Sequence, residues 1–271
     1  MLALRVTRTM TADSVALATA SSEIDASWGA TVAPIADGWA VLCGPDMFVN
    51  RLEGAGIDEP LDAEHLDQFE RLAQLVGVAP AVALPDFAES ANRSLLLASG
   101  YRPDSAVSVS TMSLDDVASI EVGHLFTLET VTTEDTLSEW QRAAALGWGH
   151  HHATGRRASD AFALAAAAAP GSSLMLVRDA SSGGVVATCG LTIRDGMATL
   201  GGMSVLPTER RRGVQAASIG RRLAIAQELG CDLAVTSTVV GGDSERNVAR
   251  CGFRLSHAVT TWRKSARRKS V

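Results

Sequence analysis

The sequence predicts an α+β protein, helices on a mixed, mostly antiparallel sheet, built as two related halves. Three observations predict it. Amphipathic runs at helical spacing interleave with short β-rich runs, and two of the strand connections read as hairpin turns. The charge is divided: residues 1–124 hold 6 Arg and no Lys against 18 Asp and Glu, whereas residues 125–271 hold 18 Lys and Arg against 12 Asp and Glu. That is −12 and +6 within a net charge of −6, a split that suggests two units with different tasks. Finally, Gly100-Tyr101-Arg102 followed by Ala106-Val107 recurs as Gly252-Phe253-Arg254 followed by Ala258-Val259, each match offset by 152 residues. A helix–strand–helix–strand order precedes both, which points to an internal duplication. The expected domains are residues 1–122 and 123–271.

In the first half, Thr11 to Ala26 reads as a helix capped by Thr11 or Asp13. Gly38 to Cys43 reads as a strand closed by Gly44-Pro45. Leu61 to Val76 is an amphipathic helix, with Leu61, Leu66, Phe69, Leu72 and Leu75 at helical spacing. Ala79 to Leu84 is a short buried strand ended by Pro85. Phe87 to Ser99 is a helix stopped at Gly100, and Val107 to Met112 alternates like a strand.

The second half begins near His124. Leu125 to Val131 reads as a strand, Glu134 to Leu146 as a helix, Gly147 to Gly155 as a Gly- and His-rich loop, and Ser159 to Ala169 as an Ala-rich helix stopped by Pro170. A hairpin follows, Ser173 to Arg178 and Val185 to Arg194 around the turn Ser181-Ser182-Gly183-Gly184. Asp195-Gly196 turns the chain into Met197 to Val205. Gly213 to Leu229 is a helix ended by Gly230, Cys231 to Val239 a β-rich run, Ser244 to Cys251 a short helix, and Phe253 onward a strand. The basic tail Arg263 to Lys269 is expected to fray.

Composition excludes several classes. With 46% apolar and 20% charged residues the chain can bury a core and is no disordered tail. No apolar run reaches the roughly 18–20 residues that span a bilayer. Ser14 to Ala20 is too short for a signal peptide and is crowded by Arg8 and Asp13, so a cytoplasmic protein is expected. Cys43, Cys189, Cys231 and Cys251 are far apart in apolar settings, which favours buried thiols over disulfides or a metal site. The basic half calls for an anionic partner: a phosphorylated small molecule, nucleic acid or the acidic half itself. With 4% aromatic residues and its arginines gathered at one turn, the chain is a poor nucleic-acid binder.

The most informative stretch runs from Met203 to Ala217. A strand ends at Val205, Pro207 stops its ladder, and a turn with Arg210, Arg211 and Arg212 enters a helix at Gly213. The first N–H groups of that helix have no intrahelical partner and the helix dipole adds positive potential, so the turn is suited to a phosphate or diphosphate. Ala216, Ala217 and Ser218 leave room over the first turn. A merely solvated basic turn is the plainer alternative.

Val205-x-Pro207-x-x-Arg210-x-x-Gly213 resembles the central motif of the GNAT (GCN5-related) N-acetyltransferases. Gly230-Cys231-Asp232-Leu233-Ala234-Val235 is similar to the family's next strand, and Ser244 to Phe253 to its following short helix, which ends at Gly-Phe. The resemblance covers roughly residues 124–265. It implies two tandem GNAT-like domains, the first degenerate because it lacks the motif. It also implies acetyl-CoA as co-substrate. The pantetheine arm would lie along Met203, Ser204 and Val205, and the pyrophosphate on Arg210, Arg211, Arg212, Gly213, Val214, Gln215 and Ala216. Asn247 would hydrogen-bond the CoA arm. The implied activity is transfer of an acetyl group to an amine, on a small molecule of open identity; a non-catalytic CoA-binding or regulatory protein is the alternative. No membrane or nucleic-acid partner is expected, and a homodimer is compatible with the sequence.

Two positions depart from the family pattern. Gln215 stands where Gly or Ala is usual, unless the pattern shifts by one to Ala216. Val248 stands where many members place a tyrosine that protonates the leaving thiolate, and the one tyrosine of the chain, Tyr101, is in the other half. The strand Ala198 to Gly202 offers no carboxylate base. His151, with its neighbours His150 and His152, is a candidate base, since imidazole as a chemical group suits proton transfer near neutrality, or else part of an exposed polar loop. Ser244 is a candidate proton source for the thiolate through water, or else a helix cap. Glu134 and Asp135 suit the dipole of their helix. Trp140 and Trp148 line an acceptor pocket or belong to the core. The acidic first half either attracts a cationic acceptor or covers a sheet edge.

Overall fold

The computed structural model describes residues 1–45, 47–115 and 124–264. They form two compact units, one of described residues within 1–108 together with 257–264, the other of residues 109–115 with 124–256. The boundary expected at 122/123 lies outside the described residues, as does the tail beyond Lys264.

The first unit opens with helix α1 (Leu2–Ile24). It starts nine residues before the expected Thr11, because its buried side includes Thr7, Thr9, Thr11 and Ser21, and a polar buried side shows no apolar period. Strands β1 (Thr31–Ile35), β2 (Gly38–Leu42) and β3 (Asn50–Glu53) form an antiparallel meander. Neither β1 nor β3 was expected: β1 contains Pro34, tolerated because β1 ends the sheet, and β3 is polar apart from Leu52. Helix α2 (Ala63–Val76) crosses to β4 (Ala81–Pro85), which pairs parallel to β3. Helix α3 (Ser90–Ala98) leads into β5 (Tyr101–Ser113).

Phe69 and Leu66 of α2 pack on Leu42, Leu52 and Leu84 of the sheet, with Leu96 and Tyr101; each such side chain contributes roughly 1.5–3 kcal/mol on burial. Tyr101 is wholly buried and donates its hydroxyl to Glu70 Oε1 at 3.1 Å. Burial and the nearby Glu70 carboxylate push its phenol well above the ordinary range. Its place is therefore in this core.

The second unit runs β6 (Phe126–Thr130), α4 (Glu134–Trp148), α5 (Ala153–Ala168), β7 (Ser172–Asp179), β8 (Val185–Arg194), β9 (Met197–Val205), α6 (Val214–Glu228), β10 (Leu233–Val239), α7 (Asp243–Arg250) and the start of β11 (Arg254–Lys264). Thr133 caps α4 reciprocally with Thr136, and Glu134 and Asp135 occupy the first turn as the dipole favours. α4 continues through Trp148 to Gly149, and α5 starts at Ala153, so the expected loop shrinks to the histidines. Strands β6 to β9 are successive antiparallel neighbours, and β10 lies parallel to β9.

Two stretches of the chain share an order. Helix, three antiparallel strands, helix, parallel strand, helix and strand describes α1 to β5 and also α5 to β11. The last strands are placed by long-range pairing. Within the first unit β11 pairs antiparallel with β4, from Val259↔Pro85 to Arg263↔Ala81. Within the second, the end of β5 stands next to β10, and Leu114 N–H donates to Asp232 O.

Candidate active site

The second unit contains a break in its sheet. Between Thr188↔Ser204 and Gly190↔Gly201 the β8–β9 register shifts, so that Cys189 faces both Gly202 and Met203. This is a β-bulge, and Gly202 takes the positive φ (61°) it needs. On its other side β9 follows β10 only through Leu233↔Met197, Ala234↔Ala198 and Val235↔Thr199, after which Thr236 Oγ1 donates to Leu200 O at 2.9 Å. Beyond that point no β9–β10 register pair follows among the described residues. The two strands therefore separate where the bulge begins.

A broken ladder leaves backbone carbonyls to satisfy. Trp140 Nε1 donates to Cys189 O at 3.2 Å, and Trp148 Nε1 to Met203 O at 3.0 Å. Arg222 donates to Gly190 O at 2.9 Å and to Gly201 O at 3.2 Å. Ser204 Oγ, itself buried, donates to Ala144 O at 3.0 Å, which joins β9 to α4. Side chains from α4 and α6 thus hold the bulge in shape.

After Val205 the chain turns through Pro207–Glu209 and the three arginines into α6. The arginines have different tasks. Arg210 donates to Gly147 O at 2.9 Å, fastening the turn to the end of α4. Arg212 bonds Asp179 Oδ2 at 2.7 Å and Glu209, and its guanidinium lies 5.6 Å from the Phe126 ring centre. Asp179 also accepts from Ser181 Oγ at 2.6 Å and from the Ser181 and Ser182 amides. Those bonds, Ser181 foremost and then Arg212, hold its carboxyl well below the usual carboxylate range. Arg211 is exposed, adopts φ 64°, and makes no hydrogen bond or ion pair among the described residues.

Gly213, at φ 78°, is the N-cap of α6, with no side-chain cap on the helix. A Cβ at Gly213 would meet nothing within 4 Å. The first intrahelical bond of this turn is Ala217 N to Gly213 O at 3.0 Å, so Val214, Gln215 and Ala216 are the first-turn donors ahead of it.

The corresponding turn of the first unit is filled by the protein itself. Asp37 accepts from the amides of Gly56 (2.6 Å), Ile57 (2.9 Å) and Asp58 (2.6 Å). Asp62 caps α2 in a reciprocal pair with His65. Carboxylates there stand where an external anion would, which also accounts for part of that half's acidity.

The residue that departs from the family pattern has a defined role. Gln215 Nε2 donates to Ser244 Oγ at 2.8 Å, and its Oε1 accepts from Asn247 Nδ2 at 2.9 Å. Asn247 Oδ1 in turn accepts from Arg250 at 3.0 Å. Ser244 and Asn247 are therefore brought together, in a polar bridge between α6 and α7. Val248 beside them is buried at 2% exposure and offers no proton.

Trp140, Trp148 and Phe162 form an aromatic group with ring centres 5.8 to 6.3 Å apart. Trp140 is wholly buried, so it is core. Trp148 is half-buried, and the His150 ring lies 5.7 Å from it. His150 Nδ1 is 2.6 Å from Ser159 Oγ. His151 and His152 are exposed. Of the three histidines the structure brings His150, rather than His151, towards the tryptophan that binds Met203 O. Sequence reading missed Arg222, although an Arg at helical spacing with Ser218, Ile219 and Ala226 was a signal. Among the described residues no group of three His, Cys, Asp or Glu could hold a metal ion, and no helix is long and apolar enough to cross a membrane.

No family model and no curated protein matches the chain. Solved structures do. The chain is similar to a GCN5-related N-acetyltransferase from Kribbella flavida, with TM-score 0.65 and 19% identity over 87% of this chain and 90% of that one. It is similar to a tandem GNAT protein from the clavulanic acid biosynthesis pathway, with TM-score 0.57 and 13% identity over 84% and 79% of the two chains. A GNAT-family acetyltransferase from Colwellia psychrerythraea gives TM-score 0.51 and 15% identity over 84% and 81%. The chain has the GNAT fold, and a tandem GNAT protein is among its structural neighbours.

Proposed function

We propose that this chain, which has the GNAT fold, is a cytoplasmic acetyl-CoA-dependent N-acetyltransferase with one CoA site, in its second unit. The observation that carries the reading is the uncapped N-terminus of α6 behind a basic turn, beside strands that part at a bulge. The amides of Val214, Gln215 and Ala216 and the free guanidinium of Arg211 would hold the pyrophosphate. Arg210 and Arg212 would keep the turn in shape. The backbone of β9 from Met203 to Val205 would pair with the pantetheine arm, as an added strand does.

Transfer then consists of positioning an amine against the thioester in the gap between β9 and β10. The amine nitrogen forms a bond to the acetyl carbon, the carbon–sulfur bond breaks, and the electron pair leaves on sulfur. Of the candidates His150, His151 and His152 for taking the amine proton, His150 lies beside Trp148, which binds Met203 O. Ser244, tied to Gln215, would serve the helix contact first. A second reading, a CoA-binding protein without turnover, is favoured by the aliphatic Val248.

Calorimetry with acetyl-CoA tests the site. Arg211→Glu with Gly213→Asp should lower affinity at least about tenfold, since both place negative charge where phosphate would sit. An unchanged affinity refutes the site. Thiol release with a panel of small amines separates the two readings, because turnover with any acceptor excludes a purely binding role.

A further inference from the structure

The charge of Arg222 is unused by anything described so far. Its side chain lies on the buried face of α6 and is only 2% exposed. Burying a guanidinium is costly unless it is paired. Yet its partners are three backbone carbonyls, Gly190 O, Gly201 O and Ser218 O (3.2 Å), and the sulfur of Met203 at 4.0 Å. Among the described residues no carboxylate pairs with it. The buried thiol of Cys189 lies opposite the bulge. Burial draws the pKa of Arg222 down from the ordinary arginine range, but a guanidinium does not lose its proton in a protein. A full positive charge therefore stands, in a water-poor setting, against the carbonyls that flank the β8–β9 bulge.

Resting on the reading of this unit as an acetyl-CoA site, we propose that Arg222 is a positioning residue for acyl transfer. It holds the bulge open through Gly190 and Gly201, and its unpaired charge favours the negative charge that collects on the CoA sulfur as the acetyl group leaves. In that step the amine lone pair forms the new carbon–nitrogen bond. The carbon–sulfur pair stays on sulfur as thiolate, and the amine proton passes to the histidine base proposed above. The thiolate regains a proton from water on release, and Arg222 keeps its own throughout. A fixed charge in a low-dielectric site acts at longer range than a solvated one. That supplies stabilisation where Val248 has no proton to give.

The test compares binding of CoA with desulfo-CoA by calorimetry at mildly alkaline pH, for the wild type, Arg222→Lys and Arg222→Met. The wild type and Arg222→Lys should bind CoA tighter than desulfo-CoA, by a ratio that grows with pH towards about tenfold once the free thiol is ionised, the equivalent of one pKa unit on the thiol. Arg222→Met should bring the two affinities together, whatever the loss of the bulge contacts does to both. If Arg222→Met keeps the preference for CoA, even with both affinities lowered, the proposal is overturned and the CoA site stands. If the wild type binds neither ligand, both fall. Should Arg222→Met fail to fold, the thiolate absorbance of CoA bound to the wild type decides. A titration midpoint about one unit or more below that of free CoA supports the proposal, and an unshifted midpoint overturns it.

Discussion

Gly147 lies in the last turn of α4, against β9. A Cβ placed there would sit 2.1 Å from Ser204 Oγ, 3.0 Å from Val205 O and 3.1 Å from Ser204 C. For Gly147→Ala two effects oppose each other. In a helix interior, Gly to Ala stabilises by roughly 0.5–1 kcal/mol. Against this, Ser204 is 2% exposed and its hydroxyl is committed to Ala144 O. Swinging it aside leaves a buried polar group unpaired, at about 1–3 kcal/mol. The two backbone contacts cannot rotate away, and easing α4 off the strand costs about 1–3 kcal/mol more. The contacts win, and the net loss should be about 3 kcal/mol. Urea unfolding followed by the fluorescence of Trp140 and Trp148 measures it. The same movement strains Trp148–Met203 and Arg210–Gly147, so acetyl-CoA affinity should fall with stability. A variant as stable as the wild type, or more so, would show that α4 does not press on β9 at this point.

Asp179→Asn should lower stability at neutral pH and change its pH dependence. Because Asp179 binds its proton more weakly folded than unfolded, its contribution is present above about pH 4 and is lost as pH falls towards its folded value. The gap in urea midpoint between wild type and variant should therefore narrow on acidification, and a gap independent of pH would refute the assignment. For the α6–α7 bridge, a double-mutant cycle of Gln215→Ala and Ser244→Ala should give a coupling of about 0.5–1 kcal/mol. Strict additivity in chemical denaturation would mean that the bridge does not form in solution.

What could be read from the residues alone was whatever neighbouring residues dictate. The strand that stops at Pro207, the basic turn and the glycine that admits α6 are consecutive, so their geometry follows from local rules. α2 was legible through its apolar spacing, and α4 had acids in its first turn that suit the helix dipole. The strand–helix order was enough to suggest the fold. β1 and β3 were not legible, since Pro34 is acceptable only at a sheet edge and Asn50, Arg51 and Glu53 carry no alternation. Nor was the start of α1, whose buried side is partly threonine.

The sequence by itself determined the basic turn, its glycine and most helices, because those depend on residues within a few positions of one another. Tertiary structure decided the rest. It placed β11 beside β4 across more than a hundred and seventy residues. It gave three identical arginines different work: Arg210 on a carbonyl, Arg212 on two carboxylates, Arg211 left exposed. It also buried Arg222 behind the bulge. Pairing, desolvation and the satisfaction of freed carbonyls are settled by what the folded chain brings near, and no short window of sequence contains that information.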